Sequence, residues 1–113
     1  MSYNPLWDNP ASSFVPSVGA NNNVDLQSAG SLIISTPLLA VFNITGIIGY
    51  GVDRTPLYIH NATGQTMTIN HNSGSSSAGN RIITATGADV AFTSGKTATL
   101  LYDSANSLWR LVQ

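Results

Sequence analysis

The stretch that decides the fold is "LLYDSANSLWRLVQ", residues 100–113, at the end of the printed sequence. Two alternating apolar runs flank Asp, Ser and Asn residues, which favour turns. We therefore predict a β-hairpin with a four-residue turn at Asp103–Asn106. In that register Tyr102 lies opposite Ser107, and Leu100 lies opposite Trp109. One face of the hairpin is then apolar and consists of Ala98, Leu100, Tyr102, Trp109 and Leu111.

The other face of this hairpin is mixed and consists of Thr97, Thr99, Leu101, Leu108, Arg110 and Val112. Arg110 lays its stem across the threonines or reaches a carboxylate of a neighbouring subunit. Asp103 suits the first turn position because its carboxylate accepts hydrogen bonds from backbone amides two residues on. Both faces of the hairpin carry apolar side chains, and each face is therefore expected to pack against something. We predict that five side chains lie in the core or at a subunit interface: Leu101, Tyr102, Trp109, Arg110 and Val112.

The composition indicates self-association. Only 8% of the 113 residues are charged, against roughly 25% in an ordinary soluble domain. A monomer with so few charges lies close to its solubility limit, so we expect other copies to cover much of its surface. A net charge of −1 gives no basic surface for nucleic acid or for an acidic membrane. The start of the sequence has no signal-peptide pattern, and no apolar run is long enough for a membrane span.

Strand patterns dominate the sequence from residue 24 on. Short apolar runs recur about every 8 to 12 residues between turn signals, which is typical of an all-β sandwich or barrel. We predict one antiparallel β-sandwich or barrel-like domain over residues 24–113, with almost no helix. Its strands are expected near Ser31–Ser35, Leu38–Thr45, Ile47–Tyr50, Leu57–Asn61, Thr66–Asn70, Arg81–Thr84, Asp89–Thr93, Thr97–Tyr102 and Ser107–Val112.

Two of these segments have informative patterns. "LLAVFNI", residues 38–44, is apolar on both faces, so it belongs at the centre of the domain or between subunits. Leu39 and Val41 are therefore further candidates for the core or the interface. "TMTIN", residues 66–70, alternates cleanly and points Met67 and Ile69 inward.

Residues 1–23 are predicted to form an extended N-terminal arm. Three prolines spaced through this segment block helix and interior strand. The arm also carries four large apolar side chains, Leu6, Trp7, Phe14 and Val15, and each forfeits about 1.5–3 kcal/mol if left in water. Either the arm folds back on its own domain, or it docks on a neighbouring subunit or a larger assembly, or it is disordered.

The segment "HNSGSSSAGN", residues 71–80, is small and polar. Such a loop has nothing to bury, and a connection of this length is either mobile or functional. We expect it to be mobile.

No motif in the sequence indicates catalysis or a cofactor. "TSGKT", residues 93–97, has Val90 where a phosphate loop needs glycine, and a strand pattern follows it, so we interpret Ser94-Gly95 as a hairpin turn. His60 and His71 have no further ligand at metal-site spacing. The chain has no cysteine, no glutamate and no serine-nucleophile motif. We therefore expect a protein that is not an enzyme and needs no metal or cofactor.

Two patterns suggest carbohydrate. Asn43-Ile44-Thr45 and Asn61-Ala62-Thr63 match the N-glycosylation acceptor, but without a secretory signal we expect neither to be modified. Four aromatic side chains, Trp109, Tyr102, Tyr58 and Tyr50, together with the Asn-rich loops, form a candidate glycan-binding surface. We expect core or interface roles for these aromatics instead.

Part of the sequence resembles a known module. The resemblance spans Asn61 to Val112 and rests on "TGQT" (63–66), "GNRI" (79–82), "TGADV" (86–90), "YD" (102–103) and "WR" (109–110), in that order, around an alternating strand and a Ser/Gly loop. This pattern resembles a β-module found in structural proteins of tailed bacteriophages, namely head fibres, capsid decoration proteins and the distal parts of tail fibres.

The resemblance implies an all-β, homotrimeric, non-enzymatic virion protein, assembled in the host cytoplasm. Only 23 residues precede the β-domain, which leaves no room for a fibre shaft and favours a compact decoration protein or a short head fibre. Its expected partners are copies of itself and a capsid or other virion protein, bound by the arm. The alternatives are a tail-fibre tip that binds a receptor or a host surface glycan, and a free-standing lectin-like bacterial protein. Neither nucleic acid nor membrane is expected as a partner.

Overall fold

The computed structural model of the chain describes residues 14–26, 30–49 and 56–113, and the prediction of an all-β domain is confirmed. The described residues form nine strands, β1 Gly19–Asn21, β2 Ser31–Ile34, β3 Phe42–Ile44, β4 Pro56–Asn61, β5 Met67–Ile69, β6 Ile82–Ile83, β7 Val90–Phe92, β8 Thr97–Asp103 and β9 Leu108–Val112. Within these described ranges the helical structure is one 3₁₀ turn at Ala78–Asn80. The sequence lacks glutamate and is rich in Ser, Thr, Asn and Gly, which explains the low helix content.

The strands form two sheets that share one core. The four-stranded sheet has the order β1-β3-β5-β7, and the five-stranded sheet has the order β2-β4-β8-β9-β6. Both sheets are mixed, so the predicted antiparallel pairing is wrong for part of the domain. The pairs β4–β8, β5–β7 and β8–β9 are antiparallel, whereas β1–β3, β3–β5, β2–β4 and β6–β9 are parallel.

Parallel pairing arises because the chain crosses repeatedly from one sheet to the other. The odd-numbered strands β1, β3 and β5 lie side by side, with Gly19 aligned to Phe42 and Phe42 aligned to Met67. Strands β2 and β4 pair in the same way in the other sheet, with Ser31 aligned to Tyr58. Each parallel neighbour is thus reached by way of the opposite sheet, which supplies the long crossover that parallel strands need.

The core lies between the two sheets. Alternate side chains of the strands point inward, as in β4, where Leu57 and Ile59 are buried and Tyr58 is exposed. The predicted inward placement of Met67 and Ile69 is confirmed. The buried apolar cluster consists of Val24, Leu26, Leu32, Ile34, Phe42, Ile44, Ile47, Leu57, Ile59, Met67, Ile69, Ile82, Ala98, Leu100, Tyr102, Trp109 and Leu111.

The closing hairpin forms, but its register differs from the prediction by two residues. Tyr102 pairs with Trp109, and Asp103 pairs with Leu108. The turn comprises residues 104–107 and not 103–106, and Ser107 takes a left-handed conformation with φ 54° inside it. Because side chains alternate with a period of two, this shift leaves every side chain on its predicted face. The apolar face is buried as expected.

Other predicted strands change in length. The expected strand Leu38–Thr45 is reduced to β3, and at Ile47–Tyr50 the structure has a bridge from Ile47 to Val24, while Tyr50 lies outside the described residues. Strand β1 lies inside the segment 1–23 that was predicted to be the arm. The turn at Ser94-Gly95 is present, but it connects β7 to β8 in different sheets and is not a hairpin turn.

The loop at residues 71–80 is docked, so the expectation that it has nothing to bury is wrong. Ser76 is buried, and its Oγ lies 2.8 Å from Thr45 Oγ1 and accepts a 2.9 Å hydrogen bond from the Asn23 amide. The Asn23 side-chain oxygen in turn accepts from the Ser77 amide. A methyl group at Gly46 would lie 2.6 Å from the Asn80 carbonyl oxygen, so only glycine allows this approach.

Candidate functional site

Exposed apolar side chains mark the candidate site. Among the described residues, large apolar side chains are exposed at Val15, Val18, Ile33, Leu39, Val41, Tyr58 and Val112. Single exposed apolar residues are normal on a protein surface, but clusters of them mark interaction sites. These seven fall into two groups, one on a sheet face and one in loops, which we call the face patch and the loop patch.

The face patch lies on the outer face of the five-stranded sheet and consists of Ile33, Tyr58, Leu101 and Val112. Tyr58 is at its centre and is 46% exposed. The register places Tyr58 opposite Thr99, and Thr99 opposite Val112. Ile33, which is 66% exposed, and the half-buried Leu101 are the diagonal neighbours of Tyr58 on the adjoining strands. Four neighbouring strands, β2, β4, β8 and β9, thus contribute apolar side chains to this face, with Thr99 between Tyr58 and Val112 and His60 opposite Ile33.

One ion pair borders the face patch. Arg110 lies next to Leu101 in the sheet, and its Nε donates to Asp103 Oδ2 at 3.1 Å. Arg110 thus reaches a carboxylate of its own chain, on the adjoining strand β8. The Asn106 side-chain amide is the main cause that lowers the pKa of Asp103 below its usual 3.8; desolvation opposes it, and the Arg110 guanidinium adds to the lowering. Asp103 also accepts a hydrogen bond from the Asn106 backbone amide, which is three residues on and not two as predicted, and it does so from the last position of β8 and not from within the turn.

The loop patch is the set of exposed apolar residues just before two paired strands, namely Val15 and Val18 before β1 and Leu39 and Val41 before β3. Because Gly19 is aligned with Phe42 and donates to the Val41 carbonyl, Val18 and Val41 lie beside one another. Leu39 is 97% exposed, so its side chain makes almost no contact within the subunit. All four residues lie outside the strands, which leaves their side chains accessible.

The residues predicted for the core or interface divide between these roles. Tyr102 and Trp109 belong to the core, where their rings meet edge to face at 5.1 Å. Leu101 and Val112 are in the face patch, with Arg110 at its border, and Leu39 and Val41 are in the loop patch. The prediction missed Ile33 and Val18. The exposure of Ile33 follows from strand alternation in β2, a signal that the sequence contains but that a short strand makes weak. Val18 lies just before β1, where no alternation marks it.

The residues predicted to anchor the arm have different positions in the structure. Leu6 and Trp7 lie outside the described residues. Phe14 is partly buried and packs against the core of its own domain, whereas Val15 is exposed in the loop patch.

The described residues carry no arrangement for metal binding. Across residues 14–26, 30–49 and 56–113, no group of three or more His, Cys, Asp or Glu side chains could hold a metal ion. His60 Nδ1 lies 2.8 Å from Thr97 Oγ1. His71 Nδ1 accepts a 3.1 Å hydrogen bond from the Thr84 amide, so this histidine secures a turn.

The carbohydrate patterns have structural explanations in part. The Asn61 side chain is completely buried and its amide is fully used, since Nδ2 donates to the carbonyls of Gln65 and Phe92 while Oδ1 accepts from Thr63. Of the aromatic set proposed for glycan binding, Tyr102 and Trp109 are buried and Tyr58 is exposed, while Tyr50 lies outside the described residues.

No protein-family model, curated protein or solved structure matches the chain. Within the part of the chain that the structure describes, no helix has the length and apolar character needed to cross a membrane.

Proposed function

We propose that this protein is a non-enzymatic structural subunit of a tailed bacteriophage, a homotrimeric capsid decoration protein or short head fibre that its N-terminal arm attaches to the particle. The observation that carries the proposal is the pair of apolar patches on a chain of which only 8% is charged. Both patches would be covered in an oligomer, whereas a monomer would expose them to water.

The arm is the proposed attachment to the particle. Phe14 packs against the domain, which fixes where the arm leaves it. The preceding segment contains Leu6 and Trp7 and can span about 40 Å when extended. Such a segment can reach a groove on an adjacent protein, in the manner of other extended peptides that bind as strands or in apolar clefts. The resemblance of Asn61 to Val112 to phage β-modules supports the virion as the place of assembly.

A truncation tests the attachment. Because Phe14 contacts the core and β1 begins at Gly19, the deletion must stop before residue 14 to keep the domain intact. We expect a variant lacking residues 2–12 to retain its oligomeric mass and thermal stability but to lose binding to phage shells that lack the native protein. The full-length variant Leu6→Ser/Trp7→Ser should behave in the same way, and its matched control Ser2→Ala/Asn4→Ala should still bind. Shell binding by the truncated protein would contradict the attachment role.

A further inference from the structure

The proposed trimer places a requirement on the subunit surface. In a closed ring of three, every contact is heterologous, which means that two different surfaces of each subunit meet. In a two-fold dimer, by contrast, one surface meets its own copy. The described part of the chain has two separate apolar patches, one on the five-stranded sheet and one in the loops before β1 and β3, as a ring requires.

We propose that the face patch of one copy packs against the loop patch of the next copy. This inference rests on the proposed trimer and specifies its contact. Leu39 is the side chain that would insert, because it projects from a loop and is almost fully exposed. The sheet face around Tyr58 is the surface that would receive it.

Charge favours this partner. Neither patch contains an ionisable side chain other than the Tyr58 phenol, which is neutral at pH 7. The ionisable side chains on the rest of this sheet face, among the described residues, are His60, which lies opposite Ile33, and Arg110 and Asp103, which pair with each other at 3.1 Å. A partner with unpaired charges would have to bury them against this face at a large cost in desolvation. The loop patch has no charge and therefore matches the face patch in this respect.

Two double variants test the contact. The face variant is Ile33→Asp/Val112→Asp, and the loop variant is Leu39→Asp/Val41→Asp. The control is Ser75→Asp, which adds a charge at an exposed loop position away from both patches. We expect each double variant alone to be a monomer by light scattering and the control to remain a trimer.

Mixing the variants distinguishes the two symmetries. In an equimolar mixture, the intact face patch of the loop variant can bind the intact loop patch of the face variant, and no further subunit can be added. Native mass spectrometry with one variant labelled with ¹⁵N should therefore detect a one-to-one heterodimer. If wild type is a trimer but the mixture gives only monomers, the pairing of the patches is wrong and the trimer stands. If wild type is a monomer or a dimer, both proposals fail.

A milder pair of variants guards against loss of folding. Ile33→Thr keeps a β-branched side chain in the strand, and Leu39→Ser changes a side chain that packs against almost nothing. Each variant should have the circular dichroism spectrum and melting temperature of a folded monomer of this chain. The association constant of its trimer should be at least tenfold lower than that of wild type. Unchanged association of both variants would overturn the proposed contact.

Discussion

The indole Nε1 of Trp109 donates a 2.7 Å hydrogen bond to the backbone carbonyl of Ile47 in the core. The two residues are 62 positions apart, and the bond ties the closing hairpin to the segment that follows β3. A buried tryptophan needs a partner for its N–H group, and a buried carbonyl needs a donor. This single contact therefore satisfies two groups that folding removes from water.

Trp109→Phe should destabilise the protein by about 2–4 kcal/mol, because it leaves the Ile47 carbonyl unpaired and removes part of the ring that packs on Tyr102. The measurement is urea unfolding followed by circular dichroism. Tyr102→Phe is the matched control, since its hydroxyl donates only a long 3.4 Å bond to the Gly79 carbonyl. An equal loss in the free energy of unfolding for both variants would show that the indole hydrogen bond contributes no more than the long hydroxyl bond of Tyr102.

The buried Asn61 gives a second prediction. Asn61→Ala removes the Nδ2 donor to the Phe92 carbonyl and one of the two side-chain donors to the Gln65 carbonyl, and we expect a loss of at least about 2 kcal/mol in the free energy of unfolding. Asn43→Ala is the control, because Asn43 belongs to the other glycosylation-like triplet but is half-buried. A loss of stability at Asn43 as large as that at Asn61 would show that the buried hydrogen bonds of Asn61 are not the cause of the effect.

The docked Ser/Gly loop predicts a difference between two neighbouring serines. Ser76→Ala removes the hydroxyl that contacts Thr45 and Asn23 and should cost about 1–2 kcal/mol. Amide hydrogen exchange in residues 71–80 should become faster. Ser75→Ala changes an exposed residue and should leave both quantities unchanged. If the loop amides already exchange freely in wild type, the loop is not docked in solution.

Acid should weaken the closing hairpin through Asp103. Its pKa is lower in the folded chain than the usual 3.8, chiefly because of the Asn106 side-chain amide, so the folded state holds this proton less tightly than the unfolded state does. The resulting stabilisation is present above pH 3.8 and is lost as the pH falls through the lower pKa of the folded state. Asp103→Asn should remove this part of the pH dependence in unfolding experiments between pH 2 and pH 5. An identical pH profile for the variant and wild type would contradict the assignment.

Much of the fold could be predicted from side-chain alternation. The strand patterns located most of the strands, and the two faces of the hairpin were correct even though its register was not. The register depended on Ser107, whose left-handed backbone moves the turn by one residue, and no residue type in "DSANS" identifies that conformation in advance.

Strand direction could not be predicted in the same way. Alternation of buried and exposed residues is the same for parallel and antiparallel strands, so β1, β3 and β5 carried no mark of their parallel pairing. Docking of the Ser/Gly loop was also hidden, because it depends on Asn23 and Thr45, which are distant in sequence. In the candidate site, the low charge predicted that other copies would cover much of the surface. The alternation of exposed and buried residues in β2 places Ile33 on that surface.

The mass of the native chain in solution tests the central claim most directly. Light scattering on the purified protein, over a concentration range from micromolar to millimolar, reports the number of copies in the oligomer. The account predicts three copies, because the face patch and the loop patch are then both covered. A monodisperse, highly soluble monomer at millimolar concentration would contradict it.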